Sequence, residues 1–395
     1  MPQYDVAIVG AGVVGCAIAR QLSRYDLRIA LIDAAEDVAM GASRANSAIV
    51  HAGYDCPNGS VEARMNVRGN ELFTAWCRDL DVPLQRVGSL VVGFNADEEA
   101  SLRALYERGL KNGVPGMKLI SGDEARAMEP SLSKDATMAL YAATGGITCP
   151  YQLTIACAEN ARDNGTTWLM NHPVTAMRRV ENEIVITAGG EEITTRYVVN
   201  AAGVFSDEVS RMLGDDSFSV HPRKGEYMLF DRKNTCVKTV IFQTPSKLGK
   251  GILVAPTVDG NMFIGPTAVD MDDKRDTSVT AEGIAQLTKM SRKSVPAVNM
   301  RAVITSFAGV RAQPSTGDFV IGISKATPRL IQAAGICSPG LTSSPAIAEE
   351  VDRLLHVAGL VMHEKANYNP IRRAIPEGDP LRRDGARPAR ACFMR

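Results

Sequence analysis

The chain has 395 residues, and 44 basic side chains balance 44 acidic ones, so its formal charge is zero. This length predicts two or three domains, and 45% hydrophobic with 22% charged residues excludes a largely disordered chain. Zero net charge argues against a nucleic-acid binder, and no run reaches the roughly 18 to 20 apolar residues of a membrane helix. Without a signal segment or closely spaced cysteines, we expect a cytoplasmic protein with reduced thiols.

The first 33 residues predict a strand–turn–helix–strand unit. Residues 4–9 (YDVAIV) read as an apolar strand, and the sequence G-A-G-V-V-G follows at 10–15. Residues 17–25 have helical spacing, and a second strand over 27–32 ends on Asp33. This is the length and order of a βαβ dinucleotide-binding unit.

The glycines of this turn each have a physical role in such a unit. Gly10 permits the tight turn, Gly12 lets a pyrophosphate approach the backbone, and Gly15 lets the helix pack closely on the strand. Amides at the start of the helix would face the phosphates. Asp33 can accept hydrogen bonds from a ribose diol. The unit is therefore predicted to bind a dinucleotide.

The remaining pattern predicts helices over 61–80, 97–112, 151–164, 280–293 and 341–355. Strands are expected over 89–94, 174–180, 183–187, 192–200, much of 217–268, and on both sides of a loop within 300–321. This order predicts an α/β protein with a discontinuous nucleotide-binding domain from segments 1–85, 145–215 and 300–360. A second, antiparallel-sheet domain for the substrate would comprise 86–144 and 216–299, and 361–395 reads as a disordered tail.

Glycine-bearing strand ends far downstream favour FAD over NAD as the bound dinucleotide. They lie at residues 198–203, ending in Ala202 and Gly203, and at residues 333–335, ending in Gly335. Several distant segments that converge on one ligand suit a large, permanently held FAD better than an exchangeable NAD. We therefore expect FAD.

The segment 43–53, S-R-A-N-S-A-I-V-H-A-G, resembles the flavin-facing loop of the D-amino-acid-oxidase-like (DAO) flavoproteins. Within that family it is similar to the bacterial FAD-dependent glycerol-3-phosphate dehydrogenases and oxidases and to the related L-2-hydroxyglutarate oxidoreductases. The glycerol-3-phosphate branch is favoured by residues 223–227, 248–261, 264–268, 306–311 and 335–342. The resemblance spans about residues 4–358.

This resemblance implies a Rossmann-like FAD-binding domain of the DAO type (the GR2 variant) beside an antiparallel-sheet substrate domain. The cofactor-binding positions expected from the glycine turn and from the resemblance are Gly10, Gly12, Val13, Val14, Gly15, Asp33, Ser43, Asn46, Ser47, Val174, Ala202, Gly203, Gly335, Pro339, Gly340, Leu341 and Thr342. The positive end of the helix that starts after Ser338 would face the negative edge of a reduced flavin.

His51 is the candidate base for alcohol oxidation, because imidazole titrates near physiological pH without special tuning. The resemblance implies that it lies on the substrate side of the flavin; the alternative is a hydrogen-bonded core histidine. His172, His221, His356 and His363 lack such a context and read as surface or packing residues.

An anionic substrate requires fixed cations, and the resemblance implies that Arg311 and Lys250 supply them. Arg311 can clamp a phosphate or carboxylate in bidentate fashion, and Lys250, between two glycines, adds a point charge. Both residues could instead form surface ion pairs. Ser47 and Ser338 match polar pocket positions, with a turn residue and a helix cap as the alternatives.

The C-terminus departs from the longer members of this branch, which continue past a linker like residues 369–376 into a cysteine-rich iron–sulfur domain. Only Cys392 follows that linker here, so we expect no metal site, because four thiolates are needed for a cluster. The arginine-rich tail could contact an anionic membrane surface or a partner, or remain solvated.

The predicted function is FAD-dependent oxidation of sn-glycerol 3-phosphate to dihydroxyacetone phosphate. The close alternative is oxidation of L-2-hydroxyglutarate or another small 2-hydroxy acid; an amino-acid oxidase is a third, on fold analogy alone. A flavin-holding, non-catalytic subunit of an electron-transfer assembly is the non-enzyme alternative. The electron acceptor stays open among oxygen, a quinone and a partner redox protein.

Overall fold

The computed structural model describes residues 3–245 and 251–374. Its strands are β1 (Tyr4–Val9), β2 (Ile29–Ile32), β3 (Ile49–Val50), β4 (Leu84–Gln85), β5 (Ser89–Gly93), β6 (Met117–Ser121), β7 (Met138–Ala142), β8 (Gly146–Thr148), β9 (Thr167–Leu169), β10 (Val174–Val180), β11 (Glu183–Ala188), β12 (Glu191–Asn200), β13 (Val220–Phe230), β14 (Val240–Gln243), β15 (Leu253–Pro256), β16 (Met262–Gly265), β17 (Val269–Asp270), β18 (Val303–Pro314), β19 (Val320–Ile323) and β20 (Leu330–Ala334). Its α-helices are α1 (Val13–Leu22), α2 (Val61–Asp79), α3 (Ala96–Lys111), α4 (Gly122–Met128), α5 (Pro150–Asp163), α6 (Ser206–Arg211), α7 (Ala281–Ser294) and α8 (Gly340–Val357). The predicted α/β class is confirmed.

The first sheet has a parallel centre, in which β9, β2, β1, β12 and β20 lie side by side. β10 and β11 extend it in antiparallel fashion from the first half of β12, and β19 extends it from β20. In β1, Val6 and Ile8 are buried against α1 and its neighbouring helices, while Ala7 and Val9 are buried on the opposite face. This burial on both faces explains the continuous apolar run of the strand.

The first helix begins earlier than its sequence pattern predicts. Helical spacing indicated residues 17–25, but α1 starts at Val13, directly after the glycine turn, and ends at Leu22. The turn needs only Gly10 to Gly12, so the chain is free to become helical at once. Cys16, Ala17 and Ile18 then pack under α8 and α5 in the main core.

The second sheet has the strand order β17-β13-β16-β15-β14-β5-β7-β6, mostly antiparallel with one parallel pair, β5 and β14. We expected segment 300–360 in the nucleotide-binding domain, but β18 at its start pairs with β13 along nearly its whole length. Val220 faces Pro314 at one end of this ladder and Phe230 faces Val303 at the other. The sequence does not reveal this pairing, because strand pairing between distant segments leaves no local sequence signal.

Residues 361–374, the first part of the expected disordered tail, include contacts with α5. Asn369 accepts hydrogen bonds from the side chains of Asn160 and Asn164 at 3.0 and 2.8 Å. Arg372 forms a 2.6 Å ion pair with Glu159. Residues 375–395, including Cys392, lie outside the described ranges. Within those ranges, no helix combines the length and apolar character that crossing a bilayer requires.

Candidate active site

A cavity of about 1030 Å³ opens between the carboxyl ends of the parallel strands and the second sheet. The ends of β1 and β2, the loop over 40–49 and the start of α8 form one side of it. Arg223 and Tyr227 of β13 and Arg311 of β18 form the other. Ligands of open α/β sheets bind at this edge, because the carboxyl ends of the strands leave a crevice there.

The glycine turn is packed too tightly for side chains at two of its positions. Gly10 has a φ of +110°, and a Cβ atom there would meet the carbonyl oxygen of Ala201. A Cβ atom on Gly15 would overlap the carbonyl oxygen of Gly10, so Gly15 packs the helix onto the turn rather than facing the cavity. Gly12, Val13 and Val14, by contrast, line the cavity at the positive end of α1.

Asp33 directly follows β2 and lies in the wall of the same cavity. Its carboxylate accepts the backbone N–H groups of Ala11 at 2.6 Å and Ala35 at 2.8 Å. These bonds fix the carboxylate beside the glycine turn, and its remaining lone pairs are available to hydroxyl donors in the cavity.

The loop over 42–48 is held in place by its own side chains. Ser43 accepts the N–H of Val13 at 2.8 Å, which ties the loop to the start of α1. Asn46 donates to the carbonyl groups of Ala42 and Ser43 and accepts the N–H of Ala48 at 2.8 Å. Ser43 and Asn46 thus shape the cavity wall that they also line.

These features fit a flavin dinucleotide. The cavity extends from Asp33 to the second sheet. It places the backbone amides at the start of α1 and the carboxylate of Asp33 in one wall, as a dinucleotide requires. A model of the family described as "DAO: FAD dependent oxidoreductase" matches residues 5–354. The chain belongs to this family of FAD-dependent oxidoreductases.

Other members of the family include close relatives of this chain. A glycerol 3-phosphate dehydrogenase of Caloramator mitchellensis is 44% identical, over 96% of this chain and 80% of that protein. A glycerol 3-phosphate oxidase of Mycoplasma genitalium is 33% identical, over 94% of this chain and 98% of that protein. The solved L-alpha-glycerophosphate oxidase of Mycoplasma pneumoniae, with FAD bound, superposes with a TM-score of 0.90 at 30% identity, covering 95% of this chain and 100% of that one.

In this DAO-family chain, His51 lies where three parts of the fold meet. Its Nε2 atom is 3.3 Å from Ser338 Oγ, just before α8. Phe242 of β14 packs against the imidazole with 5.8 Å between ring centroids. The backbone of His51 donates to Thr342 Oγ1 at 2.9 Å and accepts from Asn70 Nδ2 at 2.8 Å. The ring is therefore held by its flanking backbone while it faces the cavity.

Arg311 reaches the cavity from β18. Its Nη2 atom donates to the carbonyl of Thr267 at 2.7 Å, which fixes the guanidinium against the second sheet. β18 comes close to the loop over 42–48 because Gly309 leaves room for the backbone of Ala45. The guanidinium thus faces the same cavity as His51.

Ser47 and Tyr227 join the loop to the second sheet, with 3.3 Å between their hydroxyl oxygens. Tyr227 also stacks on Phe307 with ring centroids 4.8 Å apart. Burial raises the pKa of the Tyr227 phenol above its usual value, although the nearby Arg311 and the hydrogen bond to Ser47 partly offset this. The phenol therefore stays protonated and can donate a hydrogen bond.

The structure brings most of the expected site residues to this cavity. Those that line it are Gly10, Gly12, Val13, Val14, Asp33, Ser43, Asn46, Ser47, His51, Val174, Ala202, Gly203, Arg311, Ser338, Pro339, Gly340 and Leu341. Gly15, Gly335 and Thr342 are absent from its wall: Gly335 packs on Pro314, and Thr342 is buried beneath His51. Lys250 lies outside the described residues.

The cavity wall also contains residues that sequence reasoning missed. Tyr227 ends the segment 223–227, which favoured the glycerol-3-phosphate branch, but that segment did not single out its side chain. Phe242 lies within an apolar strand pattern and belongs to no motif used in the sequence analysis. His172, expected to be a surface or packing residue, lines the cavity near Asp33 and contacts the carbonyl of Met170 at 2.7 Å through Nδ1. Its position three residues after β9, near the carboxyl end of a parallel strand, is the signal that could have found it.

Proposed function

We propose that this chain oxidises the secondary hydroxyl of sn-glycerol 3-phosphate, which yields dihydroxyacetone phosphate. Bound FAD supplies the hydride acceptor. The observation that carries the proposal is that His51 and Arg311 line the same cavity. In this family of FAD-dependent oxidoreductases, that cavity is the candidate flavin site. An alcohol with one negative group needs this pair: a base for its hydroxyl proton and a cation for its charge.

His51 is the group that takes the hydroxyl proton in this proposal. Its Nε2 atom and Ser338 Oγ, 3.3 Å apart, can contact the same hydroxyl group, so that Ser338 orients the substrate and His51 removes the proton. Phe242 covers the imidazole and limits the access of bulk water. The backbone bonds to Thr342 and Asn70 hold the ring position during transfer.

Arg311, which lines the cavity, binds the phosphate in this proposal. One of its amino groups is already committed to the Thr267 carbonyl, which lowers the conformational entropy lost on binding. The proposal that Lys250 adds a second cation rests on its motif in the sequence. Tyr227, with a protonated hydroxyl beside Ser47, is a further donor for the substrate.

The choice of glycerol 3-phosphate over a 2-hydroxy acid is supported by the relatives. The protein at 44% identity and that at 33% identity both carry this substrate in their names, one as a dehydrogenase and the other as an oxidase. One name is that of an oxidase, so oxygen is one electron acceptor to be tested here.

Anaerobic mixing of the purified FAD-loaded protein with single substrates tests the proposal. Glycerol 3-phosphate should bleach the flavin absorbance near 450 nm, and uncharged glycerol should do so far more slowly. Faster bleaching by L-2-hydroxyglutarate would identify that compound as the substrate instead of glycerol 3-phosphate. If no small hydroxy acid or glycerol phosphate bleaches the flavin, the protein is a non-catalytic flavoprotein. Admitting oxygen to the reduced protein then measures whether oxygen reoxidises it.

A further inference from the structure

Glu226 carries a buried carboxylate that the proposed chemistry does not use. It lies in β13, next to Tyr227, and 0% of its surface is exposed. Within the described part of the chain, hydrogen-bond donors contact this carboxylate, but no lysine, arginine or histidine forms an ion pair with it. A buried carboxylate is costly unless such donors satisfy its oxygens, so these contacts specify its position closely.

The donors to this carboxylate come from two threonines. Thr280 donates to Oε1 through its backbone N–H at 2.6 Å and through its hydroxyl at 2.9 Å. Thr280 is the N-cap residue of α7, and its hydroxyl also accepts the N–H of Gly283 at 3.0 Å. The Thr267 hydroxyl donates to Oε2 at 3.0 Å. The positive end of α7 therefore stabilises the Glu226 carboxylate from one side, and Thr267 contacts it from the other.

Thr267 is bound to the backbone of Glu226 as well as to its side chain. Thr267 Oγ1 accepts the backbone N–H of Glu226 at 3.0 Å, and the Thr267 N–H donates to the Glu226 carbonyl at 3.2 Å. Only 1% of the Thr267 surface is exposed, so little water can compete for these groups. Thr267 is thereby fixed against β13, although it lies in the segment between β16 and β17.

The Thr267 carbonyl is the nearest acceptor of the Arg311 guanidinium. Arg311 Nη2 donates to it at 2.7 Å, whereas the contacts of Arg311 with the carbonyls of Lys224 and Arg223 are longer, at 3.4 and 3.5 Å. Within the described residues, no carboxylate forms an ion pair with Arg311. Main-chain carbonyls therefore orient the guanidinium without neutralising its charge, which leaves that charge available to an anion in the cavity.

We propose that Glu226 is a positioning residue for the anion site: it fixes Thr267, and the Thr267 carbonyl then directs Arg311. This inference rests on the proposed role of Arg311 in binding the substrate phosphate. Glu226 is not among the described residues that line the large cavity, so it acts through Thr267 rather than by contact with the substrate. Loss of this link should weaken anion binding and leave proton removal by His51 unaffected.

Thr267→Val tests the link between Glu226 and Arg311. Valine has nearly the shape of threonine and keeps the carbonyl that Arg311 contacts, but it lacks the hydroxyl that donates to Oε2. In anaerobic stopped-flow reduction of the FAD-loaded protein, the half-saturating concentration of glycerol 3-phosphate should rise by roughly three- to tenfold, the effect of one hydrogen bond. The limiting rate of reduction should change little. Thr267→Ser keeps the hydroxyl and should restore most of the affinity.

Thr280→Val is the matched control, because it removes the other hydroxyl that donates to the same carboxylate. It should lower the thermal stability through loss of the α7 cap and leave the half-saturating concentration close to that of the wild type. An equal rise of the half-saturating concentration in Thr267→Val and Thr280→Val would indicate general loosening around β13 and would overturn the positioning role.

Glu226→Gln tests the carboxylate itself. The Thr280 N–H can only donate, so the amide oxygen of the glutamine should face Thr280 and its NH2 group should face Thr267. The variant should therefore raise the half-saturating concentration as Thr267→Val does. Because both substitutions break the same link, the double variant should show no further rise. A further rise equal to the sum of the two single effects would contradict the inference.

Inorganic phosphate tests the anion site without turnover. In calorimetric titrations of the oxidised, FAD-loaded protein, the wild type should bind phosphate and Arg311→Ala should not. The dissociation constant should rise in Thr267→Val and Glu226→Gln but not in Thr280→Val. No binding by the wild type, or one dissociation constant for all these threonine and glutamate variants, would overturn the inference. Phosphate binding with the expected ratios, but without flavin reduction by glycerol 3-phosphate, would overturn the proposed function alone.

Discussion

Thr342 Oγ1 accepts the backbone N–H of His51 at 2.9 Å and donates to the carbonyl of Ile49 at 3.3 Å. The first turn of α8 is thereby joined to the strand end that carries the candidate base. Thr342 is completely buried and does not face the large cavity. Thr342 thus supports the backbone on both sides of Val50.

Replacement of Thr342 by valine should therefore slow flavin reduction while the protein still binds FAD. The substitution leaves the His51 N–H without an acceptor in a buried position, which costs about 1–3 kcal/mol of folding free energy. Thr342→Ser keeps the hydroxyl and should reduce its flavin at nearly the wild-type rate. Stopped-flow reduction and thermal unfolding measure both effects, and equal rates for the two variants would contradict this role.

His51→Gln should slow flavin reduction by glycerol 3-phosphate by roughly 10²–10⁴, the usual contribution of a positioned general base. Glutamine retains size and hydrogen bonding but does not accept the proton. The absorbance spectrum of the bound FAD should be nearly unchanged, since His51 is attached through its backbone to Thr342 and Asn70. Reduction at the wild-type rate would remove His51 from the mechanism.

Arg311→Ala should lower kcat/KM for glycerol 3-phosphate by roughly ten- to hundredfold, because a charge-assisted hydrogen bond contributes about 1.5–3 kcal/mol. Activity on uncharged glycerol should change little. Arg223→Gln is the matched control: Arg223 faces Arg311 across β13 and β18, but its guanidinium is bonded to Asp270 at 2.5 and 2.9 Å. A similar loss in both variants would indicate a general effect of charge instead of a phosphate clamp.

Asp33→Ala should weaken FAD binding, since the variant loses the acceptor for the ribose hydroxyls. We expect the Kd of FAD to rise by roughly ten- to hundredfold, from one charge-assisted hydrogen bond. Asp33 also accepts the N–H groups of Ala11 and Ala35, so thermal unfolding of the FAD-free protein is the control for stability. An unchanged Kd, measured by equilibrium dialysis, would show that Asp33 serves the turn alone.

The ion pair between Lys224 and Asp276, 2.8 Å apart, predicts a pH dependence of stability. The Lys224 ammonium and Ser278 hold the pKa of the Asp276 carboxyl well below its usual 3.8. A carboxyl with a lowered folded-state pKa stabilises the fold at higher pH, and this contribution is lost as the pH falls below the unfolded-state value. The free energy of unfolding should therefore decrease below about pH 4. Urea titrations at several pH values should show a smaller loss of unfolding free energy for Asp276→Asn than for the wild type. The same dependence on pH in both proteins would exclude this ion pair as a cause.

Local features of the sequence predicted the cofactor end of the site. The glycine turn, the strand that ends on Asp33 and the start of α8 each depend on a few neighbouring residues, because turns, caps and strand ends are specified by nearby φ/ψ requirements and hydrogen bonds. The helices α2, α3, α5 and α7 were predicted to within two residues at each end, since their buried residues repeat at helical spacing.

Only the tertiary structure decided which distant segments meet. It placed β18 beside β13, brought residues within 361–374 into contact with α5, and put Thr342 and Asn66 around His51. Each of these contacts joins segments that are far apart in the chain. Asparagine and threonine occur in many structural environments, so their presence does not reveal such contacts in advance. The sequence by itself therefore determined the type of cofactor site, and the packing of remote elements determined how its histidine is held.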